Sequence, residues 1–126
     1  MATNQANPPE TGSHPLPVDM ERMMDLTGGE VEMLRELVDM YFVQTTAQLE
    51  VIAAAIGNQQ PDTLRIEAHS CGGASNTMGI TRMGQIFLEL ERQGKTGTLL
   101  PNAAELCREA QLELGRVKEF LAGKLG

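Results

Sequence analysis

Apolar residues recur at intervals of three and four along most of this chain, which is the spacing of one buried face on an α-helix. The pattern predicts one short helix and four longer ones. Their approximate bounds are 18–25, 30–56, 60–79, 81–93 and 101–121. Glycine and proline residues separate these segments, as is typical of helix ends and turns. Because no segment alternates as a strand would, the expected fold class is all-α: an antiparallel four-helix bundle with a short additional N-terminal helix.

The same spacing assigns an inward face to each long helix. On the second helix the predicted inward residues are Leu34, Leu37, Val38, Tyr41, Phe42, Thr45, Leu49, Ile52, Ala53 and Ile56. On the third they are Leu64, Ala68, Cys71, Ser75 and Met78. On the fourth and fifth they are Met83, Ile86, Phe87, Leu90, Ala103, Leu106, Cys107, Ala110, Leu114, Val117 and Leu121. Thr81 is the expected N-cap of the fourth helix, and 94–97 is an expected loop.

Length and proline content give the domain organisation. A chain of 126 residues suggests one domain. Four of the six prolines fall within the first 17 residues, so residues 1–17 are expected to form a disordered tail. Residues 18–122 are expected to form the helical bundle, with 123–126 as the C-terminal end.

Charge and composition exclude several classes of function. The net charge of −7 comes from ten Lys and Arg against seventeen Asp and Glu, so binding to nucleic acid or to an anionic membrane is not expected. The N-terminus lacks the pattern of a signal peptide, and no apolar run approaches the roughly 20 residues that span a bilayer. The expected location is the cytoplasm. Cys71 and Cys107 occupy apolar positions without metal-ligand spacing, which predicts reduced core thiols.

His69 is the candidate reactive group of the chain. It lies in Ala-His-Ser-Cys-Gly-Gly-Ala-Ser-Asn, residues 68–76, and the residues that share its helical face three and four positions later are Gly72 and Gly73. An interior glycine costs a helix about 1 kcal/mol relative to alanine, so two in succession need a reason. A space kept empty beside the imidazole would let a large group reach a nucleophilic ring nitrogen, which indicates group transfer. The alternative is an ordinary surface histidine.

These residues resemble the histidine phosphotransfer (HPt) domain, the phosphoryl carrier of multistep phosphorelays in two-component systems. Ala68, His69, Gly73 and Gly79 match its pattern on the third helix, and Leu90-Glu91 matches a pair on the next one. The resemblance implies that His69 accepts a phosphoryl group from an aspartyl-phosphate receiver domain and passes it to another receiver domain. It implies response-regulator receiver domains as partners, with a hybrid sensor kinase as a further candidate. It also implies a monomer without kinase activity, cofactor or metal of its own, since Mg²⁺ belongs to the receiver.

One position departs from the family pattern. Where these domains carry a lysine that steadies the phosphoryl charge, this chain has Gly72. Either the charge comes from the partner and from other residues, or the chain is a non-phosphorylated docking module that binds receiver or kinase domains. Arg65, one turn before His69, is the nearest substitute by spacing, and Arg82 is a weaker one. The alternative for Arg65 is a solvated surface arginine.

Glu91 is the candidate partner of the histidine ring. If the third and fourth helices are antiparallel about Gly79, the residues from Leu88 to Glu91 return to the height of His69. A carboxylate there could accept a hydrogen bond from Nδ1–H and hold the ring in one tautomer. The alternative is a surface glutamate that pairs with Arg92 or Lys95.

Overall fold

The computed structural model describes residues 16–125, where five helices and no strand occur, which confirms the all-α fold class. The helices are α1 (Met20–Asp25), α2 (Val31–Gly57), α3 (Pro61–Thr77), α4 (Thr81–Thr96) and α5 (Ala103–Leu125). Residues 1–15, which hold most of the predicted tail, lie outside the described residues. No helix within residues 16–125 is both long enough and apolar enough to cross a membrane.

The four long helices form a closed bundle. Three-residue connections join α2 to α3 and α3 to α4, so sequential helices run antiparallel. Helix α3 packs between α2 and α4, and α5 packs against both α2 and α4, which closes the bundle. Helix α1 sits at one end, where the backbone N–H of Asp19 donates to the carbonyl of Gly79 at 2.8 Å.

The predicted inward face of α3 is confirmed. Leu64, Ala68, Cys71, Ser75 and Met78 are all buried. Among them, Ser75 donates to the carbonyl of Cys71 at 2.7 Å and lies 2.7 Å from the Tyr41 hydroxyl of α2, so its polar group is satisfied. Cys71 and Cys107 are buried free thiols, as predicted. Burial raises the pKa of the Cys71 thiol to about 12, so it stays protonated at neutral pH.

Gly79 forms the turn that brings α4 back along α3. Its φ of +76° is unfavourable for residues with a side chain. A Cβ atom there would also lie only 2.9 Å from the carbonyl oxygen of Asp19. Both the direction of α4 and the docking of the N-terminal segment therefore depend on a glycine at this position.

Two helix ends differ from the sequence prediction. Helix α4 continues through the predicted loop to Thr96 and ends at Gly97, whose φ is +76°. Gly94 was expected to end the helix, but it lies inside the last turn of α4. Its lack of a side chain allows close packing against Pro61 and Arg65 of α3, and it does not form a turn. Helix α5 runs to Leu125, four residues beyond its predicted end.

Smaller corrections concern single positions. Thr81 is the first helical residue of α4 rather than its N-cap, which is Ile80 with no side-chain capping bond. On α2 the structure exposes Ala53 and buries Ala55. Alanine fits either environment, so spacing alone assigned it wrongly. Leu37, Phe42, Leu106 and Leu114 are half-buried against the edge of the core.

Candidate functional site

His69 projects from the middle of α3 into solvent. Its side chain is 75% exposed, whereas the preceding Ala68 is fully buried in the core. The two differ because successive residues on a helix point about 100° apart. A reagent or a partner protein can therefore reach the imidazole.

Glu91 of α4 lies directly beside the ring. Its Oε2 atom is 2.9 Å from Nδ1 of His69, and its side chain is only 12% exposed. The antiparallel course of α3 and α4 produces this contact, since His69 lies 10 residues before Gly79 and Glu91 lies 12 residues after it. One side of the ring is therefore held and the other is free.

The charged groups around Glu91 favour the ionised form of its carboxylate. Partial burial disfavours its charged form, but the hydrogen bond and charge of His69, followed by the charge of Lys95, outweigh burial and lower the pKa of Glu91. A carboxyl pKa that is lower in the folded protein than in the unfolded chain stabilises the fold at any pH above the ordinary carboxyl pKa. This stabilisation is lost as the pH falls through the lowered pKa. At neutral pH the carboxylate remains an acceptor without a proton.

The ionised carboxylate fixes the tautomer of the ring. It has no proton to donate, so the hydrogen bond requires the proton to be on Nδ1. A neutral imidazole with Nδ1–H carries its lone pair on Nε2. That nitrogen makes no hydrogen bond to any residue between 16 and 125, and the side chain that carries it is 75% exposed.

The two glycines beside His69 have different surroundings. A Cβ atom added to Gly73 would meet nothing within 4 Å, so this flank of the histidine is open. Gly72 is buried against α4, and a Cβ atom there would lie 3.4 Å from Cβ of Phe87. Only Gly73 therefore leaves free space on the solvent side, while Gly72 belongs to the contact between α3 and α4.

The basic residues named from the sequence lie in different places. Arg65 is half-buried one turn before His69, and within the described chain no carboxylate lies within 4.0 Å of its guanidinium. Arg82 pairs with Glu109 of α5 at 3.0 Å, which holds it away from the histidine. Lys95 was named from the sequence only as an alternative partner of Glu91. Its Nζ atom lies 3.5 Å from Oε2 of Glu91, the oxygen that His69 also contacts, so Glu91 pairs with both residues.

The part of the chain that the structure describes offers no ready metal site. Between residues 16 and 125, no three His, Cys, Asp or Glu side chains converge as the ligands of an ion would. The chemical resources of the site are an exposed imidazole, a carboxylate that orients it, and nearby cationic side chains.

Comparisons with known proteins identify the family and the fold of the chain. Residues 36–120 match the Hpt domain family. The structure is similar to the crystal structure of histidine-containing phosphotransfer protein B from Pseudomonas aeruginosa, with a TM-score of 0.79 and 24% sequence identity over 90% of this chain and 96% of that one. At that identity the match shows a shared fold. No curated sequence matches the chain significantly.

Proposed function

This chain belongs to the Hpt domain family, and we propose that it carries a phosphoryl group on His69 between receiver domains of a phosphorelay. The donor is a receiver domain with a phosphorylated aspartate, and the acceptor is a second receiver domain. A hybrid sensor kinase that contains such a domain is a further candidate partner. The observation that carries the proposal is the exposed Nε2 atom of a ring held at Nδ1 by Glu91.

The transfer step needs only the groups at this site and the donor. The Nε2 lone pair of His69 forms a bond to phosphorus while the bond from phosphorus to the aspartate oxygen breaks, and the electron pair of that bond stays on the donor carboxylate. The ring becomes a phosphoimidazolium that keeps its proton on Nδ1, where Glu91 accepts the hydrogen bond and compensates the positive charge. Transfer onward reverses these bond changes on a second aspartate.

Positioning and charge compensation account for most of the catalysis in phosphoryl transfer, and little proton chemistry is required. Glu91 keeps the reactive nitrogen directed outward, so less of the imidazole population has to reorient before attack. The open flank at Gly73 leaves room for the donor's phosphoryl group and its surrounding loops. Under this proposal the assisting Mg²⁺ is bound by the receiver domain, and the protein acts as a monomer.

The alternative is a docking module that binds receiver or kinase domains without being phosphorylated. Gly72 favours it, because no lysine follows His69 at the third position. The hydrogen bond from His69 to Glu91 favours the carrier, because docking alone does not require one ring tautomer.

Incubation of the full chain with a panel of phosphorylated receiver domains tests the proposal. We expect label on the chain that is acid-labile and base-stable, as a phosphoramidate is, with loss of label from the receiver at the same rate. Absence of label with every receiver, together with measurable receiver binding, would show the docking module instead.

Replacement of Glu91 by alanine is expected to slow phosphorylation of His69 by roughly 10- to 100-fold, by analogy with the loss that follows removal of a carboxylate hydrogen-bonded to a metal-binding histidine. The ring would lose its acceptor at Nδ1, and the tautomer with the proton on Nε2 would gain population. Nitrogen-15 NMR of the imidazole distinguishes the two tautomers directly. Glu89→Ala is the matched control, since Glu89 pairs with Arg92 at 2.9 Å and not with the ring. An unchanged tautomer in Glu91→Ala would contradict the assigned role.

A further inference from the structure

A phosphoryl group on His69 creates an electrostatic problem. It brings nearly two negative charges next to Glu91, in a protein whose net charge is already −7. The residues three and four positions after His69 on α3 are the buried Gly72 and the exposed Gly73, so neither position supplies a cation. A stabilising charge from this chain must come from another turn or another helix.

Lys95 is the cation that contacts the same carboxylate oxygen of Glu91 as the His69 ring does. Its Nζ lies 3.5 Å from Oε2 of Glu91, and Nδ1 of His69 lies 2.9 Å from that oxygen. The lysine side chain is 64% exposed, so it is free to change partners. Its four-carbon stem and three rotatable N–H donors allow the ammonium group to move from a carboxylate to a nearby phosphoryl oxygen.

Close packing of the two helices explains why Lys95 reaches the site. Gly94, the preceding residue, lies against α3 so closely that a Cβ atom there would be 2.8 Å from the backbone nitrogen of Arg65. This contact is one turn from His69 along α3. The end of α4 that carries Lys95 is therefore held against the functional face of α3.

The other cations nearby are less well placed. Arg92 is adjacent to Glu91 in sequence but pairs with Glu89 at 2.9 Å, one turn back along α4. Arg65 has no carboxylate partner among the described residues, and no ion pair or hydrogen bond joins it to His69 or Glu91. Lys95 alone of these three touches the carboxylate that holds the ring.

We propose that Lys95 of α4 is the phosphoryl-binding cation of this site. In the resting state its ammonium group pairs with Glu91, and during transfer it donates a hydrogen bond to an oxygen of the phosphoryl group on Nε2 of His69. The inference rests on the proposed phosphorylation of His69. It assigns to the fourth helix the charge that Gly72 cannot supply from α3.

Phosphorylation by phosphoramidate, a small donor that needs no partner protein, tests this assignment. The imidazole takes the phosphoryl group and ammonia leaves, so the rate reports the site of this chain alone. We expect Lys95→Met to reduce the rate about 10-fold, a modest effect for one exposed stabilising donor, and Lys95→Arg to restore most of it. Lys118→Met removes the same charge on the opposite side of the bundle, beside Val38 and Asp39, and is expected to leave the rate unchanged.

Phosphorus-31 NMR provides a readout that a merely structural role would not change. An ammonium group beside the phosphoryl oxygens favours their fully ionised form, so the pKa of the phosphoryl group in phosphorylated Lys95→Met is expected to be higher than in the wild-type protein. Equal rates and equal phosphoryl titrations in wild type and Lys95→Met would overturn the inference. A loss in Arg65→Met alone would assign the role to Arg65 instead.

The failure of the proposed function has a different signature. If neither phosphoramidate nor any phosphorylated receiver labels the wild-type protein, His69 is not a phosphoryl acceptor. If the wild-type protein is labelled and Lys95→Met behaves in the same way, the carrier function stands and only the role of Lys95 is wrong.

Discussion

Replacement of His69 by glutamine is expected to abolish phosphoryl transfer to this protein while leaving its fold intact. The carboxamide has no lone pair comparable to Nε2, so no phosphoramidate bond can form at the position. The substituted side chain is 75% exposed in the wild-type protein, and its only hydrogen bond within the described residues is to Glu91. Glutamine can still donate to that carboxylate, so we expect the free energy of unfolding to change by less than about 0.5 kcal/mol.

The measurement combines a transfer assay with a urea unfolding curve on the same preparations. Gln85→Ala is a suitable matched control, because Gln85 is an exposed polar residue of α4 that has no hydrogen bond to His69 or Glu91. Label retained on His69→Gln would mean that another residue accepts the phosphoryl group. Loss of label together with loss of the cooperative unfolding transition would mean that the histidine has a structural role instead.

Helical spacing was sufficient to predict the features of the site that depend on one helix or on a simple turn. The inward face of α3 followed from the positions of Leu64, Ala68 and Cys71, and it placed His69 beside the core rather than in it. The height of Glu91 followed from an antiparallel return about Gly79. Both inferences use only helix geometry, which is insensitive to the details of packing.

The features that sequence reasoning missed depend on how two helices meet. Gly94 resembled a helix terminator, although its function is to let α4 approach the backbone of α3. Lys95 was consequently placed in a loop and named only as an alternative partner of Glu91, so a carboxylate that contacts both Lys95 and His69 was not expected. Glu113 was given no assignment from the sequence, and the structure buries it on α5 with Arg116 at 2.7 Å.

Gly94→Ala is expected to lower the free energy of unfolding by about 2 kcal/mol, although alanine is intrinsically preferred over glycine inside a helix. In an open position the substitution would stabilise an α-helix by about 1 kcal/mol. Here the new Cβ atom would lie 2.8 Å from three atoms, and two of them, the nitrogen of Arg65 and the carbonyl oxygen of Pro61, belong to the backbone. Backbone atoms cannot rotate aside as a side chain does, so α3 and α4 would have to separate. Overpacking of this kind costs about 1–3 kcal/mol, which outweighs the helix preference when the contacts are this close.

Gly115→Ala is the control that separates the effect of close packing from the effect of helix preference. Gly115 lies inside α5, and a Cβ atom there would meet nothing within 4 Å, so the same substitution is expected to raise the Tm by roughly 4 °C. Thermal unfolding should therefore move in opposite directions in the two variants. Because Gly94 lies between Glu91 and Lys95 on α4, separation of the helices should also lengthen the contact between Glu91 and His69 and slow phosphorylation, which Gly115→Ala should leave unchanged. A Tm that rises in both variants would show that α3 and α4 can accommodate a methyl group, and that their spacing does not control the site.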